Sequence, residues 1–331
     1  MSMERVPYLV GGGFEHSAEV MRAMLAAATS GAEGIVNAGD MKVAPLSVPG
    51  TGVRVAPGNA LIRNSYGGGT AQTYAARASA QTELPIESTG SSGSRTDLIV
   101  ARIDDPTYAG SEYDPLTYEA AKFEVIRGVP ASTRTASQLN LSYPAIALAR
   151  ITLPASTGTV TSGMITDLRK IAIPRRERVL YVHPLIQDDG DHELTATSED
   201  GQYWPRVTTW RVDVPDWAQR VRIVGNLGGV KIRGGGGNSY GYVWVRIGGM
   251  SDPDGFNSQA TAWDIPSTNA GNIREAWVFG DDHSIPVGMR GRDVTLAMRG
   301  RVNGRDSGAP RPLADSLSVL SLDLEFYETA V

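Results

Sequence analysis

The chain has 331 residues, a formal charge of −5, and 41% hydrophobic and 20% charged side chains, a balance that excludes a disordered chain. Neither half carries the basic excess that nucleic acid demands: residues 1–172 hold 14 basic and 15 acidic side chains, and residues 173–331 hold 17 and 21. With no cysteine, disulfides, thiolate chemistry and most zinc sites drop out together.

The length exceeds what one hydrophobic core usually supports, so two domains are expected, residues 1–172 and 173–331. The 38 glycines and 19 prolines predict many short elements joined by turns. No stretch reads as a signal peptide or a membrane span, so synthesis in a cytosol and no membrane insertion are expected.

The first predicted element is a helix near Ser17 to Thr29. Ser17 suits the N-cap, Glu19 the positive end of the dipole and Gly31 the stop. Val20, Met21, Met24, Leu25 and Ala28 fall in one stripe, a face for a sheet or a neighbouring subunit. From Ile35 the period becomes two. GVRVAPGNALI (Gly52–Ile62) alternates, with Pro57-Gly58 as its turn. TYAARAS, ELPIE, RTDLIVARIDD and AKFEVIRG follow as strands, with Tyr108, Tyr113 and Tyr118 in a loop between the last two.

The segment LARITLPASTGTVTSGMITDLRK, from Leu148 to Lys170, reads as two strands around a small-residue turn, although Leu148, Ile151 and Leu153 alternate only approximately. Asp167 and Arg169 lie two apart, project to one side of an extended chain and read as a structural polar pair. One helix and about eight strands make a mainly antiparallel β domain with a helix laid against it. Pro174 with Arg175, Arg176 and Arg178 reads as a solvated linker.

All six tryptophans lie after residue 200. Strand-like runs from RVLYVHPL to LSVLSLDLEFYE, spaced about 8–14 residues apart, predict a jelly-roll-like β-sandwich. The loop Gly234–Gly237 joins two of them and lacks the following helix and lysine of a phosphate cradle.

Three acidic clusters are candidate cation loops: Asp188, Asp189, Asp191, His192 and Glu193; Asp252, Asp254 and Asn257; and Asp281, Asp282 and His283. The second echoes the start of a calcium loop but lacks its later bidentate glutamate, and aspartate with glycine equally marks β-turns. No spacing selects a glycosidase carboxylate pair. No G-x-S-x-G is present, and His16, His183, His192 and His283 follow no triad or metal motif and read as turn or surface residues. No catalytic residue, metal ligand or cofactor is assigned.

In YVWVRI, Tyr242, Trp244 and Arg246 share one strand face and Val243 and Val245 the other. The valines belong in the core, which leaves Tyr242, Trp244 and Arg246 for a ligand or a subunit contact. With Trp263 and Trp277 they form the candidate ligand-binding set, because exposed aromatic rings stack on sugar faces.

The succession VRVAPGNALI, RTDLIVARIDD, FEVIRGVPAS and PAIALARITLPASTGTVTSGMITDLR, over about residues 35–172, resembles minor tail and baseplate proteins of tailed bacteriophages, most of all those of actinobacterial siphophages. The resemblance implies a non-enzymatic virion protein at the tail tip, assembled in the host cytoplasm. It further implies a homotrimer, with an N-terminal domain docked to other tail proteins and a C-terminal domain turned toward a host-envelope glycan. The alternative is a tail-borne cell-wall or glycan hydrolase, suggested by the acidic residues beside tryptophans from Trp263 to His283.

Overall fold

The computed structural model describes residues 16–110, 113–114, 116–184, 192–205, 209–267 and 271–330. The chain is mainly β, and it divides into two units. One runs to Pro174 and takes back the C-terminal residues from Thr329; the other is Arg175–Glu328.

Among the described residues the first unit holds ten strands: β1 (Gly34–Ile35), β2 (Val43–Pro45), β3 (Gly52–Val55), β4 (Gly58–Arg63), β5 (Thr73–Ala78), β6 (Thr82–Pro85), β7 (Arg95–Ile103), β8 (Ala121–Ile126), β9 (Ala145–Leu153) and β10 (Ile165–Asp167). They form three antiparallel sheets, β1-β4-β5, β2-β3-β6 and β10-β9-β7-β8. Strand β7 reads as a continuous apolar run because both its faces are covered. Ile99, Ala101 and Ile103 enter the main core, while Leu98 and Val100 enter a second cluster with Val129 and Ala136.

The closing segment is the hairpin the alternation suggests, with Ile165 opposite Ile151 and Asp167 opposite Ala149. Its imperfect alternation has a cause. The β7–β9 register shifts between Ile99 and Val100, whose partners are Ala149 and Ala147, so Leu148 is an extra residue of a β-bulge.

Two expectations are corrected. Pro57-Gly58 does not turn a hairpin: β3 pairs with β2 and β6, whereas β4 pairs with β1 and β5. The dipeptide is a corner that carries the chain from one sheet to another. Glycine is needed at the corner because a Cβ on Gly58 would lie 2.6 Å from the Asp40 Cβ and 2.7 Å from its Cα.

The second correction concerns the helix, α1 (Ala18–Ala28), which is capped by Ser17 as the sequence suggests. Its apolar stripe is not fully covered by the sheet: Val20 and Leu25 are half-buried, and Met21, Met24 and Ala28 are exposed. Met21 and Met24 are 46% and 44% exposed. The side turned inward is polar: Arg22 donates to Gln72 at 2.7 Å, pairs with Asp105 at 3.3 Å and lies over the Tyr74 ring. The tyrosine Tyr108, in the short helix α2 (Pro106–Ala109), donates to Glu19 and stacks on Tyr66. A buried carboxylate at Asp105 requires a cation, and that requirement outweighs the burial of two methionines.

The second unit continues with β11 (Arg176–Pro184), β12 (His192–Glu193), β13 (Gln202–Tyr203), β14 (Trp210–Asp213), β15 (Arg220–Ile232), β16 (Ser239–Ile247), β17 (Phe256–Asn257), β18 (Thr261–Ile265), β19 (Ile273–Ser284), β20 (Asp293–Arg305), β21 (Pro312–Ala314) and β22 (Val319–Tyr327). One six-stranded sheet runs β11-β22-β15-β21-β12 with β19 beside β15; the other runs β13-β20-β16-β17 with β14 on β20 and β18 on β16. Val221, Ile223, Leu322 and Leu324 of the first meet Val243, Val245, Leu296 and Met298 of the second in one core, so the unit is a β-sandwich.

The three arginines read as linker are structural. Arg175 pairs with Glu328 at 2.8 Å, Arg176 pairs with Glu325 at 3.0 Å, and Arg178 pairs with Asp323. Three histidines lie in strands rather than turns: His183 in β11, His192 in β12 and His283 in β19.

Candidate ligand-binding groove

Along β16 the side chains alternate as the sequence predicts. Val243, Val245 and Ile247 fill the core, and Tyr240, Tyr242, Trp244 and Arg246 lie on the opposite face. The neighbouring β20 supplies Arg301 opposite Tyr242 and Arg299 opposite Trp244. Both arginines share that outer face because Gly300 between them points inward, where an added Cβ would meet Leu194 and Val243 within 3.3 Å.

A groove of about 420 Å³ opens over these strands, lined by Tyr242, Trp244, Arg301, Glu199, Asn257 and Ser258. Trp244 forms a buried wall, 6% exposed. The ring is overlaid by the turn at Gly201, where φ is +65° and a Cβ would come 2.7 Å from the indole. Arg301 lies over the Tyr242 ring at 5.3 Å. Ser258 is pinned by accepting from the Val245 N–H at 2.9 Å. Aromatic surface, a guanidinium, a carboxylate and an amide around one shallow groove form a set of groups suited to a sugar.

The five candidate residues separate. Tyr242 and Trp244 line the groove. Arg246 shares their face but is committed to the carbonyls of Gly248 and Gly249, at 3.2 and 2.9 Å. Trp263 is a core residue at 5% exposure, stacked on Trp277 with planes 8° apart. Trp277 also meets Trp204 at 5.7 Å and donates its indole N–H to Glu275. These rings tie the two sheets together and are absent from the groove. The sequence reading missed Glu199, Ser258 and Arg301; the R-G-R spacing of Arg299 and Arg301 on a strand is the signal that marks the last.

The acidic clusters are engaged otherwise. Asp252 accepts from Arg292 at 2.7 Å, and Arg292 holds its carboxyl below the usual carboxylate range. Asp281, Asp282 and His283 lie within β19, not in a loop. Asp281 accepts from the Gln259 N–H at 2.8 Å. For Asp282, burial pushes the carboxyl pKa up, but hydrogen bonds from Tyr327 and Arg220 outweigh it and hold the group low. His283 stacks on Phe256 at 4.2 Å. Asn257 belongs to the groove, Glu193 pairs with Arg311 at 3.2 Å, and Asp188, Asp189 and Asp191 lie outside the described residues. Among the described residues no cluster of three His, Asp or Glu could hold a metal ion, and no helix is long and apolar enough to cross a membrane.

In the first unit, Asp167 and Arg169 form the polar pair that their spacing predicts. Arg169 grips Asp167 through Nε at 3.0 Å and Nη2 at 2.7 Å, and donates to the carbonyls of Ala38 at 3.1 Å and Asp40 at 2.7 Å.

No family model matches the chain, and no curated protein matches it. Among solved structures, similarity is found to infectious bursal disease virus, Gt strain, at 12% identity and a TM-score of 0.25, covering 91% of this chain and 76% of that one. The VP2 subviral particle of the same virus matches at 13% and 0.26, covering 90% and 70%. The insecticidal delta-endotoxin Cry8Ea1 of Bacillus thuringiensis matches at 10% and 0.19, covering 91% and 52%.

Proposed function

We propose that the chain is a non-enzymatic structural protein of a bacteriophage virion, placed at the tail tip. In this reading the first unit docks to neighbouring tail proteins and the second attaches to a host-envelope glycan. The ordered motifs of residues 35–172 support the tail assignment, and their charged positions have structural work. Arg95 of β7 grips Asp97 at 2.8 Å, Arg102 pairs with Asp104 at 3.4 Å, and Asp167 is held by Arg169 at 2.7 Å. A motif whose ionic residues are consumed in folding suits a docking scaffold rather than an enzyme.

The observation that carries the attachment reading is the groove over β16 and β20, where Tyr242, Trp244 and Arg301 line an open surface. A homotrimer is part of the proposal, since closed cyclic symmetry suits an attachment on the tail axis. Gold-labelled antibody against the chain is expected to mark the tail end of virions, and the purified chain to sediment as a trimer and bind host envelope. Label on heads, or none on the particle, would remove the tail assignment; a monomer would remove the trimer.

A further inference from the structure

Several outward arginines of the sandwich pair with a carboxylate, including Arg211 of the groove sheet, which meets Asp293 at 2.7 Å. On the sheet containing β11, β15, β22 and β19, guanidinium and carboxylate alternate from strand to strand. Arg176 pairs with Glu325, Arg178 with Asp323, and Arg220 with Asp282. On the groove sheet Arg299 and Arg301 have no carboxylate within ion-pair distance among the described residues. Arg299 is 5% exposed and spends its Nε and Nη2 on the carbonyls of Asp200 and Gly201, at 2.8 and 3.0 Å. The Nη1 of Arg299 and the indole N–H of Trp244, directly across the strand pair, are buried with no acceptor.

An unmatched buried donor is costly, and a buried charge more so, unless something in the functional state accepts from it. Arg301 is held by its flat face on the Tyr242 ring, which leaves the N–H edge free for a forked contact with a carboxylate. Glu199, the one carboxylate among the described lining residues, would repel a bare anion but accepts from hydroxyls. A ligand that meets Arg301 and Glu199 together carries a carboxylate and several hydroxyls on one ring.

We propose that this groove binds an acidic saccharide, a hexuronate unit whose carboxylate is read by Arg301 and whose ring packs between Tyr242, Trp244 and Glu199. The proposal rests on the attachment reading above and narrows its ligand from a glycan to a uronate-bearing glycan.

The test is calorimetric titration of the full chain with trigalacturonate, a hyaluronan tetrasaccharide and trigalacturonate methyl ester. The free acids are expected to bind, with the ester at least about tenfold weaker, the value of one lost charge-assisted contact. Arg301→Gln should lose a similar factor for the acids and little for the ester. Arg178→Gln, on the other sheet face, should bind like the parent. Equal affinity for acid and ester, no binding of either acid, or an unaffected Arg301→Gln overturns the inference. Those results leave the tail reading standing if gold still marks the tail tip, while an unlabelled tail defeats that reading whatever the sugars do.

Discussion

Arg169 offers the sharpest test of how the first unit is held together, because its side chain is fully buried while its partner Asp167 is 42% exposed. Replacing Asp167 with alanine leaves the guanidinium buried without its forked carboxylate contact, and the carbonyls of Ala38 and Asp40 do not replace that charge. Losing one partner of a buried pair costs about 3–5 kcal/mol, and the retained contacts to Ala38 and Asp40 place this case near the lower bound, about 3 kcal/mol. Arg169→Met instead removes the charge and leaves those two carbonyls unmatched, at about 1–3 kcal/mol each, partly offset by the apolar side chain. In the double variant no charge is stranded, so the two changes together should cost about 2 kcal/mol less than their sum. Urea titration at neutral pH, read by hydrogen exchange on peptides covering β9 and β10, measures all three. Additive effects, or an Asp167→Ala cost under about 1 kcal/mol, would refute the idea that the exposed aspartate exists to neutralise the buried arginine.

Three further outcomes follow from the same structure. Asp315 is held by a forked contact from Arg274 that brings its carboxyl from 3.8 down to about 2. A depressed folded pKa means stability that is fully present above pH 4 and is lost as pH falls toward 2, about 2–3 kcal/mol. Tryptophan fluorescence in urea at pH 7, 4 and 2.5 should show that loss in the parent, and Asp315→Asn should be less stable at pH 7 with a flatter acid limb. Gly58→Ala forces a Cβ against the Asp40 backbone and should cost about 2 kcal/mol or more, lowering the melting midpoint of the first unit. Gly67→Ala, with nothing within 4 Å, serves as its unperturbed control in the same calorimetric scan. Trp263→Ala should destabilise the sandwich by about 3–5 kcal/mol in urea titration while leaving the groove's Tyr242, Trp244 and Arg301 in place.

Much of the fold is legible because strand faces are encoded by a period of two. YVWVRI divided correctly into a valine core face and an outer face, and the Asp167–Arg169 spacing marked a contact the structure makes. What a period cannot encode is pairing. VAPGNA has the composition of a hairpin turn, yet its flanking strands join different sheets, since Met41 and Asp40 close on Gly58 from a neighbouring segment. Similarly, the stripe of α1 is a true amphipathic pattern, but its orientation was set by Asp105, 83 positions after Arg22 in the chain and invisible to any local window. In β19 the aspartates looked like a loop because Gly and Asp crowd turns; Arg220 and Tyr327 make them a strand.

The candidate groove was half legible for the same reason. Tyr242 and Trp244 can be found from one strand, whereas their partner arginines lie about 57 residues away and meet them only through the β16–β20 register. The tryptophans that follow them in the chain, Trp263 and Trp277, carry the same chemical promise but occupy inward positions, where Gly241 leaves room for the Trp263 ring. Aromatic content therefore does not distinguish a binding face from a core. An unmatched indole does not distinguish them either, since the Nε1 atoms of Trp263 in the core and Trp244 at the groove both lack an acceptor; the position on the strand decides. On one sheet face Arg176, Arg178 and Arg220 each have a carboxylate. On the other, Arg301 lines the groove with its guanidinium over Tyr242 and no carboxylate beside it among the described residues, and this is the group that the proposed uronate would engage.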